Sequence, residues 1–508
     1  MKRLRFLLPL LLLAAAGSLS LPAADAPKEA DFYPITTFTT PQTTAMEVGS
    51  IELLPGDKLA LGTRRGEIWI VSHASDPDPA KVEYKLFASG LHEVLGLAQK
   101  DGWIYATIRY EVVRMKDEDG DGRADVFETV CDKWGISGDY HEYAIGSRFD
   151  QAGDIWVCLC LTGSFSSGAP FRGWCVRVKP DGTMLPTCSG IRSPGGIGFD
   201  ARGDAYYMDN QGPWHGACTL QHLIPGTFQG HPGGNIWYDQ APNMGPRPVD
   251  PIPAAYQGDR KRGTKDTHVD PDRLQAERQR IKELVPPVVY MVHGKIGNSS
   301  SFIVCDQSGG KFGPFQDQLF IADQSHSNIS RVYMEDVNGI RQGVVFPFRL
   351  GFASGLIGGR MNAQGQLFAG GSDRGWGARG GKPYSFERLD WNGKVPFEMH
   401  EVHARPDGFE ITFTHPVDAS TAGDVASYSA REFIYAYREE YGGDEVDESF
   451  PKIISAVVAA DHKSVRLTLD KLTPGNIHEL RLDGVRDDHG LPLLHAIAYY
   501  TLNEIPKK

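Results

Sequence analysis

Beyond its N-terminus, this 508-residue chain has no apolar run long enough to cross a bilayer as a helix. It has no Cys-x-x-Cys-His, which excludes covalently attached c-type haem. It has neither a Ser nucleophile elbow nor a zinc-ligand signature, which argues against the hydrolases built on them. Basic residues are scarce: 52 Lys and Arg stand against 64 Asp and Glu, a net charge of −12. So acidic a chain is not one for non-specific nucleic-acid binding. Cysteine is sparse and odd in number, at 131, 158, 160, 175, 188, 218 and 305, so at least one thiol stays unpaired. Cys158 and Cys160, two apart in "IWVCLCL", share one face of a strand and match neither a thioredoxin nor a zinc spacing. Either could reach Cys175 on the next strand, and the spacing does not choose between them.

What is present begins with "MKRLRFLLPLLLLAAAGSLSLPAADA". Lys2, Arg3 and Arg5 precede a short apolar run, and Ala24-Asp25-Ala26 offers a small-x-small cleavage site. This reads as a signal peptide over residues 1–26, an exported (secreted or periplasmic) chain, and no transmembrane segment after cleavage. Its removal takes away three basic residues and Asp25, leaving a net −14. Hydrophobic residues at 41% and charged residues at 23% mark a globular chain. The 58 glycines and 33 prolines favour many tight turns over long helices.

A polar or Gly-Asp turn followed by an alternating apolar strand recurs through the first four hundred residues. It appears in "PGDKLALGTRRGEIWIV", "KDGWIYATIRYEVVRM", "QAGDIWVCLCL", "ARGDAYYMDNQ", "FQDQLFIADQSHSNISRV" and "AQGQLFAGGSD". The strands begin near Leu59, Trp103, Ile155, Ala205, Leu319 and Leu367, mostly one propeller blade apart. The long step from Ala205 to Leu319 holds an insertion at about 233–284 with one helix in "DPDRLQAERQRIKEL". The expected fold class is all-β: a six-bladed β-propeller over 30–394, then an Ig-like or fibronectin-like β-sandwich over 395–508 from strands such as "GFEITFTHPVD" and "KSVRLTLDKL". The acidic stretch "REFIYAYREEYGGDEVDESF" reads as a long loop of that sandwich.

Residues 117–128, "DEDGDGRADVFE", match a calcium loop at every side-chain position. Asp117, Asp119, Asp121, Asp125 and Glu128 would supply carboxylates and Arg123 its carbonyl. The preceding "WIYATIRYEVVRM" alternates as a strand, so the loop joins two strands and its calcium is structural. Ligand-contacting groups should gather where loops converge on the channel. "SGDYHEYA" offers Asp139, His141 and Glu142; a His beside carboxylates can serve as a general base. "GIRSPGG" offers Arg192, and "MDNQGPWHG" offers Asp209, Asn210, Gln211, Trp214 and His215. "DQSHSNISR" offers His326, and "SDRGWGARGGKPY" offers Arg374, Trp376, Arg379 and Lys382. Trp and Gly beside Arg suit a sugar face or an anionic ring.

The order His, Arg-x-Pro-x-Gly, Gln-Gly-Pro, Leu-Ile-x-Gly-x-x-x-Gly-x-Pro resembles soluble quinoprotein glucose dehydrogenase and the wider glucose/sorbosone dehydrogenase group. "DEDGDGRADVFE", "GDYHEYA" and "RGWGARGGKPY" resemble a group of secreted bacterial propeller proteins labelled membrane-bound dehydrogenases. The first resemblance implies a six-bladed propeller binding pyrroloquinoline quinone and calcium at the channel mouth. Carried over, His141 is the base, Arg192 sits over the quinone carbonyls, and Gly212 and Pro213 give carbonyls to a quinone-bound calcium. Ser193 stands where that family has Asn, and "ADQSHSNISR" lacks its later Lys, with Arg349 as the substitute cation. With Glu142 as a further catalytic candidate and Gln211, Trp214 and Arg374 as cofactor contacts, the expectation is a quinone-dependent dehydrogenase. Its substrate would be a sugar or polyol, and its electrons would leave to a separate cytochrome. The alternatives are a non-catalytic carbohydrate-binding or docking propeller, and a calcium-dependent hydrolase or lactonase using Asp139, Glu142 and Asp209.

Overall fold

The computed structural model describes residues 27–251, 273–375 and 377–507, so the expected signal peptide, Trp376 and part of the expected insertion lie outside the described residues. The described chain is nearly all β, with short helices at Arg273–Arg280 and Ala419–Ala422. No helix among the described residues is long and apolar enough to cross a membrane.

Strands of alternating or continuous apolar character pair antiparallel into successive sheets. The first sheet runs Val48–Leu54, Lys58–Thr63, Ile68–Ser72, Glu83–Ala88, and the second Gly96–Lys100, Trp103–Ile108, Glu111–Lys116, Val126–Cys131. The third begins at Ala144–Phe149, the fourth at Pro194–Phe199, the fifth at Ser300–Cys305 and the sixth at Gly358–Met361. The six strand starts read from the repeat all fall at or next to the start of the second strand of a sheet. In the sixth sheet the outer position is filled from the other end of the chain, Ile35–Thr37 pairing with Tyr384–Leu389.

The first strands of the six sheets touch one another in sequence, and the sixth touches the first. They approach closely: a Cβ on Gly96 would lie 2.6 Å from the Cα of Gly146 in the next sheet. The apolar cores lie between neighbouring sheets. Ala60, Ile68 and Phe87 of the first meet Leu97, Val113 and Met115 of the second, and Phe368 and Phe386 of the sixth meet Val48 and Trp69 of the first.

The C-terminal part is not a separate bead on this ring. The ten-residue strand Ile340–Arg349 ends the fifth sheet, and the last strand, Ile497–Thr501, pairs onto its edge at Gly343, Val344 and Val345. Three further strands extend it into one eight-stranded sheet. A second sheet, including Met399–Arg405 and Gly408–Phe413, packs over this extension, and Val344 and Phe346 share its core with Phe409, Leu467 and Tyr500. An exposed strand edge has thereby been covered by the chain itself.

Cys158 lies opposite Cys175, and Cys175 opposite Cys188, on three adjacent strands. All seven cysteines are free thiols, and burial pushes those of Cys175 and Cys188 well above the ordinary range.

His495 joins the chain ends. Its Nδ1 lies 2.5 Å from Glu398 Oε1 and its Nε2 3.0 Å from Glu29 Oε1. Burial opposes its charge, but the two carboxylates win and push it from an ordinary 6.5 up to about 9. A raised histidine stabilises the fold fully below its unfolded value and loses that contribution as pH rises through the folded one. Thermal stability should therefore fall between about pH 6.5 and 9. In His495→Gln that decline should shrink, as read by melting curves across the window.

Candidate functional site

At the end of the ring where the first strands begin lies a cavity of about 340 Å³. Arg64, His141, Arg192, Asn210, Gln211 and a run of serines from Ser299 to Ser301 line it, with Phe165 and Tyr441 at 58% and 51% exposure. Its charged lining is Arg64 and Arg192 with His141; no carboxylate is among the described lining residues.

Arg192 is fixed by a buried carboxylate. Asp209 closes the second strand of the fourth sheet and accepts the backbone N–H groups of Arg192 at 2.8 Å and Ser193 at 2.7 Å. Tyr207 donates to the same carboxylate at 3.0 Å. The Arg192 guanidinium donates through Nη1 to the carbonyls of Asn210 and Gln211, at 3.1 and 2.6 Å. Its Nε is buried without a protein partner. The guanidinium packs directly on Gly212, where a Cβ would stand 1.9 Å from Cζ, so a side chain at 212 would displace the guanidinium. The ring of Tyr441 lies 5.0 Å from it, a cation–π contact.

His141 comes from a loop held by arginines. Arg109 donates to the carbonyls of Asp139 at 3.0 Å and Tyr140 at 2.9 Å and pairs with Glu93. Glu93 also pairs with Arg64 at 3.2 Å. Burial lowers the affinity of Arg64 for its proton, but Glu93, Tyr143 and Tyr140 together raise it, so it stays a cation. Asp139 Oδ1 lies 3.7 Å from His141 Nδ1 and accepts the N–H groups of His141 and Gly163. Burial would raise the Asp139 carboxyl, but these bonds and the charges of His141 and Arg109 hold it below the usual range.

His141, Arg192, Asn210 and Gln211 are thus brought together on one cavity, while Glu142, Trp214, Arg349 and Arg374 are placed elsewhere. Glu142 is buried and faces away from the cavity, accepting Ser137 N and Oγ and Thr162 Oγ1 at 2.6–2.7 Å. Burial works to raise its carboxyl, yet these donors keep it below the usual range, and through them it pins the loop. Trp214 packs against Tyr437 and Phe228 in an apolar cluster. Arg349 donates to the Tyr33 carbonyl and meets Glu29 at the ring's edge. Arg374 stands behind the wall, bonded to Glu93 and the Arg64 carbonyl.

The carbonyl of Gly212 accepts the N–H of Gly442 at 3.1 Å, and the Arg192 guanidinium crowds the same glycine. A divalent ion at Gly212 and Pro213 would face a fixed cation and an occupied acceptor; these residues do not fit a channel calcium. The loop at 117–128 differs too. Asp117, Asp119 and Asp125 converge within 4.8 Å. Asp121 turns its carboxylate to Arg123 N, and its carbonyl accepts the Lys85 ammonium. Glu128 lies in the strand Val126–Cys131, directly across from Arg114, and pairs with it at 2.5 Å.

Reasoning from sequence missed Arg64, Arg109, Phe165 and Tyr441. Arg64 and Arg109 each follow directly on the second strand of a sheet, a signal that aligning the repeats on that strand would have exposed. Tyr441 left none: Trp214 N donates to the Arg438 carbonyl, and Gly442 N to Gly212, so the acidic excursion of the C-terminal part lies on the cavity rim.

Residues 60–260 match the family model described as a domain of unknown function, DUF7133. No curated protein matches the chain. Solved structures similar to it include an oxidoreductase described as a glucose dehydrogenase from Thermus thermophilus, at 17% identity and TM-score 0.48, covering 70% of this chain and 99% of that one. The PQQ-bound aldose sugar dehydrogenase of Streptomyces coelicolor matches at 16% and 0.47, over 70% and 98%. A family AA12 enzyme of Trichoderma reesei matches at 13% and 0.48, over 72% and 98%.

The contact at Gly212 gives a direct expectation. Gly212→Ala should push the Arg192 guanidinium off its carbonyls and destabilise the fold by about 1–3 kcal/mol, read from the denaturant midpoint.

Proposed function

We propose that this chain is a six-bladed β-propeller over residues 30–394, joined through a shared sheet to a β-sandwich over 395–508. In this reading it is exported by the signal peptide at 1–26, and it is a quinone-dependent dehydrogenase acting on a sugar or polyol. The observation that carries the reading is one cavity lined by His141, which Asp139 backs from outside the lining, and by Arg192, with no carboxylate among its described lining residues. That lining suits an anionic, carbonyl-rich ring, and the residues fit a pyrroloquinoline quinone in charge: Arg192 for its oxygens, Arg64 as a neighbouring cation committed to Glu93, and the ring of Tyr441 for its face. A bound quinone supplies the hydride acceptor. His141 takes the substrate hydroxyl proton, and Asp139, held ionised beside Nδ1, stabilises the imidazolium so formed. Arg192 donates to oxygen on which negative charge develops. A separate acceptor, a cytochrome in the expected scheme, would take up the electrons that the quinone supplies when bound. The hydrolase reading loses support, because Glu142 and Asp209 are saturated by internal donors. Non-catalytic carbohydrate binding is the second reading, favoured by the exposed Phe165–Tyr441 pair, 6.3 Å apart at the rim.

The mature chain should take up pyrroloquinoline quinone in the presence of a chelator, since Gly212 and Pro213 do not fit calcium. It should then reduce a dye with one of a sugar panel. His141→Ala should keep uptake and lose turnover at least about 100-fold; Arg192→Gln should weaken uptake at least about tenfold. Sugar binding without quinone uptake would leave the second reading standing.

The loop at 117–128 is, in this proposal, a structural calcium clasp of the second sheet. Calcium should raise the melting temperature. Asp119→Asn should abolish that rise, and Glu128→Gln should leave it intact because Glu128 is committed to Arg114.

A further inference from the structure

The ring has a second opening. At the other end of the first strands lies a cavity of about 250 Å³. It shares Leu95, Ile145, Gly195 and Ile357 with the cavity described above, so a mostly apolar collar separates two ends of one channel. The second cavity contains two guanidinium groups, Arg148 and Arg360, and one carboxylate, Glu52, among its described lining residues.

The three groups are not balanced. Glu52 is nearly fully buried and receives Arg360 Nη2 on both oxygens, at 3.1 Å each. Glu52 is committed to that pair and, through Oε1, to the Leu53 N–H. The Nε of Arg360 is buried without a partner. No hydrogen bond or ion pair among the described residues holds the Arg148 guanidinium, whose contact is the ring of Phe199 at 5.8 Å. Arg148 is aimed there by a local device. The pairing of Ala144–Phe149 with its neighbour shifts register between Gly146 and Phe149, a bulge that re-aims side chains. Ser147 fixes the bulge, accepting Trp156 N at 2.9 Å and donating to the Arg148 carbonyl at 2.5 Å. A half-buried cation facing another cation is costly unless a counter-charge joins it. Burial, then the charge of Arg360, accordingly pulls Arg148 below the ordinary arginine range, and Glu52 offsets only part of this.

We propose that the mouth opposite the His141 cavity is a separate binding site for a small oxyanion, a carboxylate or phosphate group, taken between the guanidinium groups of Arg148 and Arg360 that line it. The bound group completes the charge balance that Glu52 leaves unfinished. Glu52 sets the selectivity: with one carboxylate already present, a singly charged group is matched best. The site uses none of the residues assigned to the dehydrogenase reading and stands or falls apart from it.

The test is thermal unfolding and calorimetric titration of the full mature chain with sodium acetate, inorganic phosphate and sodium chloride at matched ionic strength. Acetate or phosphate should raise the melting temperature above the chloride control; the stronger of the two names the ligand as carboxylate or phosphate. Arg148→Gln should fold without added anion at least as well as the parent and lose affinity at least tenfold. Glu52→Gln should shift affinity the other way, upward. Arg192→Gln and His141→Ala should keep the full response, which separates this site from the other cavity. An equal response in Arg148→Gln and the parent, or no response beyond chloride, would overturn the proposal.

Discussion

A four-stranded sheet has two apolar faces and no means of covering either. That constraint organises the molecule. Each sheet here finds its cover in the sheets before and after it, and the first finds its second neighbour only in the last. Closure therefore matters more than any single contact, and it is reinforced where the chain ends meet. Ile35–Thr37 completes the sixth sheet, and His495 holds Glu29 from the start against Glu398 from the C-terminal part. The last strand then seals the long edge of the fifth sheet.

The same closure creates the channel and explains its chemistry. Six first strands converging on an axis leave room for few side chains, hence glycines such as Gly96 and Gly146 at the closest approach. Larger polar groups are admitted only at the two ends. At both ends the chain places arginine, and in both it leaves an arginine N–H without a protein partner. Buried carboxylates act behind the walls: Asp209 shapes the turn at Arg192, Glu93 ties Arg64 to Arg109, and Glu142 pins the His141 loop. The acidic excess of the composition therefore does not reach the described lining of the larger cavity.

The C-terminal part has a place in this arrangement that its sequence does not announce. It shares a sheet with the ring and carries Tyr441 to the rim of the cavity, over Arg192. A unit that reads as an appendage thus contributes to the wall of the site.

The sequence alone determined the all-β character and the spacing of the strands, because period-two alternation and Gly-Asp turns are local properties. It also singled out His141, Arg192 and Gln211, whose motifs place them on turns at strand ends. It failed where a side chain's direction depends on what surrounds it. The calcium pattern assumes that position twelve turns back toward the loop, but Glu128 stands in a strand and its neighbour across the ladder is Arg114. Glu142, adjacent to His141, points the other way and is consumed by Ser137 and Thr162. Trp214 and Arg349 have the right chemistry and the wrong location, one in an apolar cluster and one at the ring's edge. Tyr441 and the Arg148–Arg360 pair join residues far apart in the chain, so no local pattern could bring them together. Only the closing of the ring, which decides what faces the axis and what is covered, assigned those side chains to their places.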